Sequence, residues 1–246
     1  MDIHKITNEF YSKFCCVTEE QFSSNSSVLF VEDSRREETM KGFGCKFVIY
    51  AFISRNSVVV AYSPKYGQEI GKLKIIINLD NARRLLEKAF NNLKPKILFE
   101  YTNSIDIDTS KAKILELSDY KAYEDFYLNN NPQIILSVDH WLKEYYQEKV
   151  KKHLFCGYFI DKILVCVSDA PNMPYLDGVI QHTGVNTLKE FRNRGYAKKV
   201  CYLSAKNLLS MNICPQWETD EKNIASVNLA TSIGYKQIGY SLTLEE

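Results

Sequence analysis

Apolar residues recur at helical spacing from the start of the chain. Ile6, Phe10, Phe14 and Val17 share one face, which predicts an amphipathic opening helix. Residues 28–31 read as a short strand. Residues 43–53 and 57–63 are rich in Val, Ile, Phe and Tyr, with Ser54, Arg55 and Asn56 between them, the pattern of a hairpin. Residues 72–77 predict a further strand. Asp80 stands where a helix N-cap would, ahead of an apolar face of Leu85, Leu86, Ala89 and Leu93. Pro95 closes that helix, residues 97–101 resume as a strand, and the polar run 102–110 reads as a linker.

Beyond the linker the pattern predicts a strand at 112–117 and a helix at 119–128, ended by three asparagines and Pro132. Asp139 is expected to cap a second helix that runs to Val150. Residues 153–160 and 162–167 are strands turned tightly at Asp161, and Pro171 and Pro174 mark a loop. Strands at 178–188, 212–217 and 235–244 then alternate with helices at 195–210 and 223–233. The order β-α-α-β-β-β-α-β-α-β is that of a mixed α/β unit. The expected division is an N-terminal α/β accessory domain (1–101), a linker (102–110) and a second domain (111–246).

Composition narrows the classes. The 246 residues are 45% hydrophobic and 25% charged, enough to bury a core and not the profile of a disordered chain. Lys and Arg number 31 against 30 Asp and Glu, so a bulk electrostatic grip on nucleic acid or an anionic membrane is not expected. The opening MDIHKITNEF has no apolar run of the signal-peptide kind, and no apolar run is long enough to cross a bilayer. The seven cysteines (Cys15, Cys16, Cys45, Cys156, Cys166, Cys201, Cys214) form no CxxC pair. The four histidines (His4, His140, His153, His182) complete no zinc pattern. The expectation is a cytoplasmic protein with reduced, core-packed cysteines and no metal.

The stretch that carries chemistry is Gly184 to Ala197, where a strand runs through a short loop into a helix. Gly195 lets backbone approach a ligand closely. The amides of such a turn and of the first helical turn lack internal partners and point out at the positive end of the helix dipole. That arrangement accepts a phosphate or pyrophosphate. Arg192, Arg194, Lys198 and Lys199 add positive charge, with Lys189 on the approach. No Gly-Lys-Ser/Thr follows, so this is not a Walker loop. The first glycine of a dinucleotide fingerprint is also missing.

Arg192-Asn193-Arg194-Gly195-Tyr196-Ala197 at the end of a strand resembles the acetyl-CoA pyrophosphate loop of the GCN5-related N-acetyltransferase (GNAT) superfamily. That family's second signature is an Asn opening the next helix with a Gly-aromatic pair at its end. Asn223 and Gly234-Tyr235 are similar to it, in the right order. The closing segment, with Trp217, looks closest to the branch of zwittermicin-type antibiotic-resistance acetyltransferases. The resemblance covers residues 112–246 and implies a GNAT fold, a mixed α+β sheet splayed between its fourth and fifth strands and flanked by helices. Pro215 agrees with such a gap, since a strand proline needs a side without a ladder partner.

The resemblance further implies acetyl-CoA as cosubstrate. The pantetheine arm would lie along the backbone of Val185, Thr187 and Leu188, as an added strand would. The amides of Arg192, Asn193, Arg194, Gly195, Tyr196 and Ala197 would take the pyrophosphate, and Asn223 and Ser226 would contact it or the arm from the other side. A primary amine of a small molecule would attack the thioester directly in a ternary complex, with the Val185 amide polarising the carbonyl. Two family positions differ. The Tyr that serves as acid is Ala230 here, and the strand Glu falls near Gln181, which cannot titrate. His182 is then a candidate base if a bulge re-aims it, the plain alternative being a packed or surface histidine. Glu218 is the other candidate, the alternative being a solvated loop acid beside Asp220 and Glu221. Trp217 is a candidate wall of the acceptor pocket or simply core. A non-catalytic acyl-CoA-binding or regulatory module, or an acyltransferase for another acyl-CoA, remain the other readings. In the first half, residues 72–77, the helix from Asp80 and residues 97–101 would echo the cofactor-binding strand–helix–strand in degenerate form. The oligomeric state is left open, a homodimer included.

Overall fold

A computed structural model of the chain describes residues 1–24, 27–102, 105–134 and 141–246. The helix cap expected at Asp139 lies outside the described residues, as does His140. The architecture is mixed α+β, with two sheets and helices on their faces.

The first half supplies β1 (Ser27–Glu32), β2 (Phe47–Ile53), β3 (Ser57–Tyr62) and β4 (Lys94–Tyr101), with helices α1 (Ile3–Phe14), α2 (Glu19–Ser23), α3 (Gly67–Leu73) and α4 (Ala82–Ala89). The second half supplies β5 (Ala112–Ile114), β6 (Cys156–Ile160), β7 (Ile163–Asp169), β8 (Ile180–His182), β9 (Gly184–Thr187), β10 (Cys214–Asp220) and β11 (Tyr235–Glu245). Its helices are α5 (Tyr120–Asn130), α6 (Trp141–Lys151), α7 (Tyr196–Ser210) and α8 (Ile224–Ser232).

The seven-stranded sheet has the order β1-β3-β2-β11-β4-β10-β8, and the four-stranded sheet the order β5-β6-β7-β9. Strand β4 pairs antiparallel with both β10 and β11. A strand of the first half therefore lies between two strands of the second, and the larger sheet crosses the division expected at 102–110. Strands β2 and β3 are buried at every position, as their unbroken apolar runs require of strands covered on both faces. Helix α1 packs Phe10, Tyr11 and Phe14 onto one face, against Tyr50 and Phe52. Helices α3 and α4 cover the other face with Ile70, Leu73 and Leu86.

Residues 72–77 are not a strand. Ile70, Leu73 and Ile77 are buried at helical spacing, whereas Ile75 is 86% and Ile76 54% exposed, which alternation of two faces does not produce. The segment is the end of α3 and a turn, so the degenerate strand–helix–strand in the first half is absent. Helix α4 starts at Ala82 with Asn81 as its cap residue, one position beyond Asp80. It ends at Ala89, and Pro95 lies inside β4.

The long strand expected at 178–188 is two strands in two sheets. Strand β8 pairs parallel with β10, from Ile180 beside Cys214 to His182 beside Gln216. Strand β9 pairs antiparallel with β7, from Gly184 beside Asp169 to Thr187 beside Cys166. Thr183 lies between them, where the chain leaves one sheet for the other. Past that point β9 and β10 belong to different sheets, and a cleft opens between β9 with the start of α7 on one side and α8 on the other.

Candidate active site

Strand β9 is bonded on one edge only. The Leu188 amide donates to the Val165 carbonyl at 3.0 Å. Backbone groups alternate sides in an antiparallel pair, so those of Val185 and Thr187 face away from β7, into the cleft. Leu188 is the exception among the three residues expected to present backbone there. It is buried in the core beneath α5 and α6, its amide bonded to Val165 and its carbonyl accepting from Phe191. Thr187 is partly committed too, since its carbonyl accepts from Arg192 Nε at 3.1 Å.

At the end of β9 the chain turns into α7. Asn193 has φ 61° and Gly195 φ 80°, so two left-handed residues make the corner. Among the described residues no backbone carbonyl accepts from the amides of Asn193 to Lys198. A Cβ on Gly195 would meet no heavy atom within 4 Å, so the space above it is open. The result is a cleft of about 590 Å³ that includes Val185, Thr187, Arg192, Asn193, Arg194, Gly195, Tyr196, Ala197, Asn223 and Ser226. Asn186, Phe191, Lys198, Asn228, Leu229 and Ser232 also line it. Of the expected cations, Lys199 is turned to Asp108 at 3.0 Å, and Arg194 lies over the Phe191 ring. Tyr196 stacks on Tyr158 with centroids 4.5 Å apart, fixing the first turn of α7 against β6.

The opposite wall is the start of α8. Asn223 caps it, its side-chain oxygen accepting from the Ser226 amide at 3.2 Å. Ser226 Oγ in turn accepts from the Trp217 indole N–H at 3.2 Å. Trp217 is 1% exposed and belongs to the core beneath this wall, not to a pocket surface. Pro215 is not beside the gap. It pairs with Gln181 in the closed part of the sheet, and its missing N–H falls on the β4 side, one residue before that ladder begins.

The two candidate bases, distant in sequence, are brought near each other, and neither is part of the lining of the cleft. Strand β10 extends to Asp220, past the expected end at Trp217, because β4 pairs with it as far as Asp220 beside Lys96. Glu218 is therefore a strand residue, bonded by the Lys96 ammonium at 2.6 Å. The polar turn begins at Glu221, which is paired to Arg83 at 2.6 Å. His182 Nδ1 meets Gln216 Oε1 at 2.8 Å, and Gln216 Nε2 donates to Tyr11 Oη at 2.7 Å. Since the Gln216 amide nitrogen is spent on Tyr11, its oxygen faces His182, and Nδ1 carries the ring proton. Nε2 is left as the basic atom.

Electrostatics separates the two. Burial pushes the His182 imidazole below its ordinary value, and the Glu218 charge only partly restores it. Burial alone would raise the Glu218 carboxyl, but Lys96 and His182 outweigh it and the net shift is downward. At neutral pH the pair is a neutral imidazole beside a carboxylate. Gln181 is buried and gives its amide to the Pro171 carbonyl at 2.8 Å, and Ala230 is fully buried. Neither carries the family's titrating group. Lys96, Gln216 and Tyr11 went unnoticed in the sequence. Lys96 and Tyr11 join the site only through packing of the first half, and nothing local to them signals it.

Five of the seven thiols are buried, and Cys16 and Cys45 are half-buried. Burial pushes Cys214 up to about 12 and Cys201 up as well. Among the described residues no cluster of three or more His, Cys, Asp or Glu side chains could hold a metal ion. No described helix is long and apolar enough to cross a membrane.

Comparison with known proteins bears on this geometry. Residues 62–241 match the model of the GNAT acetyltransferase family. Among solved structures, a GCN5-related N-acetyltransferase from Sphaerobacter thermophilus is similar at TM-score 0.54 and 13% identity, over 81% of this chain and 76% of that one. A GNAT-family acetyltransferase from Colwellia psychrerythraea is similar at TM-score 0.52 and 16% identity, over 62% of this chain and 56% of that one. The chain thus matches little more than half of the Colwellia protein. No curated protein matches. The chain belongs to the GNAT acetyltransferase family, and its splayed mixed sheet is that family's fold.

Proposed function

We propose that the chain is an N-acetyltransferase that takes acetyl-CoA in the cleft at Gly195 and passes the acetyl group to a primary amine of a small molecule by direct attack. The observation that carries this is the row of unpartnered amides from Asn193 to Lys198, facing open space beside a strand with a free edge. Such amides suit a diphosphate, and the free edge of Val185 and Thr187 suits the amide-bearing arm attached to it. Bound there, acetyl-CoA supplies an activated thioester. Arg192 and Lys198 add charge at the diphosphate, and the Val185 amide is placed to polarise a carbonyl lying along β9. Glu218 and the Nε2 atom of His182 are the groups able to take a proton from an ammonium. An amine-bearing antibiotic is the acceptor we favour, on the likeness of Trp217, Asn223 and Gly234-Tyr235 to the zwittermicin-type branch.

A second reading, a non-catalytic acyl-CoA-binding module, is favoured by Ala230, which puts a methyl group where a proton donor is expected. Calorimetry with acetyl-CoA, followed by a thiol-release assay over a panel of amines, separates the two. Binding with turnover on at least one amine is expected. Binding without turnover on any amine selects the module, and absence of binding rejects both.

A further inference from the structure

A second cavity, of about 590 Å³, opens between α1 and the segment that follows β1. Lys13, Cys16 and Val17 come from the end of α1 and the turn after it, Arg36 and Met40 from the segment after β1, and Tyr175 from the loop before β8. It shares no residue with the cleft at Gly195. Its volume is in the range of small-molecule sites.

Arg36 lines this cavity and is 2% exposed. Among the described residues neither its Nε nor its Nη1 has a hydrogen-bond partner, although both atoms are buried. The neighbouring cations are matched: Asp33 holds Arg35, and Glu9 lies 3.6 Å from Lys13. Cys16 and Tyr175 lie near the guanidinium, whose charge opposes the upward push of burial on both. A buried guanidinium with two unpartnered N–H groups has given up water without full compensation, and the carboxylate that feels its charge, Asp33, is already bonded to Arg35.

We propose that this cavity binds a small organic carboxylate, with Arg36 as its counter-charge. One guanidinium, with Glu38 also on the lining, suits a monoanion better than a phosphate dianion. Val17, Met40 and the ring of Tyr175 offer apolar wall to the rest of the molecule. The site is independent of acetyl transfer and stands or falls apart from it.

The test is calorimetric titration of the full chain with benzoate and hexanoate. Benzamide serves as an uncharged control of the same shape, and inorganic phosphate as the other oxyanion. The expected result is binding of at least one carboxylate, at least tenfold weaker binding of benzamide and phosphate, and at least tenfold loss of carboxylate affinity in Arg36→Met. Should Arg36→Met not fold, Val17→Trp fills the cavity while keeping the cation, and it is expected to lose the carboxylate equally. Acetyl-CoA affinity is expected to stay unchanged in any folded variant. The proposal is overturned if no carboxylate binds, if phosphate or benzamide binds as tightly, or if the folded variants bind the carboxylate as well as the parent chain.

Discussion

Two helix starts in this molecule face the same demand for amide partners, one entered through Asn81 at φ −113° and the other through Gly195 at φ 80°, and meet it differently. At the entry to α4 the loop bonds its own amides. Asn78 Oδ1 accepts from the amides of Asp80 and Asn81, and Asn81 Oδ1 accepts from the amide of Asn78. At the entry to α7 the amides from Asn193 to Lys198 have no backbone acceptor, and Gly195 leaves the space over them open. The difference is the side chains within reach. Two asparagines at the first corner fold back on their own loop, whereas at the second Arg192 reaches back to the Thr187 carbonyl and Arg194 lies on a ring. A helix start can serve an anion only where neighbouring side chains leave its amides open.

The comparison can be broken at the α7 corner first. Gly195→Glu places a carboxylate among the open amides and a side chain in the cleft. Acetyl-CoA affinity is expected to fall at least ~100-fold, since the substitution removes an anion cradle and adds like charge. Calorimetry reads this, and a thermal scan checks that the variant is folded. An affinity within a few fold of the parent chain would show that the corner is not the diphosphate site.

Next in size is Glu218→Gln, expected to lower kcat/KM by roughly 100-fold or more with acetyl-CoA affinity unchanged. In the parent chain the acid limb of the rate profile is expected below the ordinary histidine value, because the His182 imidazole is pushed down. A His182→Gln variant that keeps the same acid limb would remove His182 from the reaction.

The α4 corner is the control. Asn78→Ala is expected to lower stability by about 1 kcal/mol, the usual net worth of such a hydrogen bond, with no change in acetyl-CoA binding. Thermal melting with a parallel titration decides it.

The smallest effect concerns Asp169, which sits against Gly184 where β9 begins. Burial raises its carboxyl from 3.8 to about 6. Its contribution to stability is therefore full below about pH 4 and is lost as pH rises through 6, because the folded state holds the proton more tightly than the unfolded chain. Asp169→Asn is expected to melt higher than the parent at pH 7 and alike at pH 4. Equal melting temperatures at both pH values would contradict the shift.

How much of this could be read before the fold is best judged residue by residue. The Gly195 corner, α7, the capping Asn223 and the buried runs of β2 and β3 were legible, because each rests on local chemistry: a glycine, a cap, an apolar period. Residues 72–77 misled because a run of isoleucines satisfies a strand pattern and a helical face alike until neighbours choose between them. The 178–188 strand was seen as one piece, although Thr183 divides it between two sheets, for register belongs to partners and not to a segment. Leu188 was placed on the open edge and lies in the core for the same reason. The sequence by itself determined a glycine corner with open amides and a mixed α+β chain, since both follow from short-range backbone demands. Only tertiary structure decided that β4 lies between β10 and β11, bringing Lys96 to Glu218 and Tyr11 to Gln216, and that Arg36 is sealed against a cavity. Those contacts join residues up to 205 positions apart, and pairing at that range is set by packing, which no local pattern encodes.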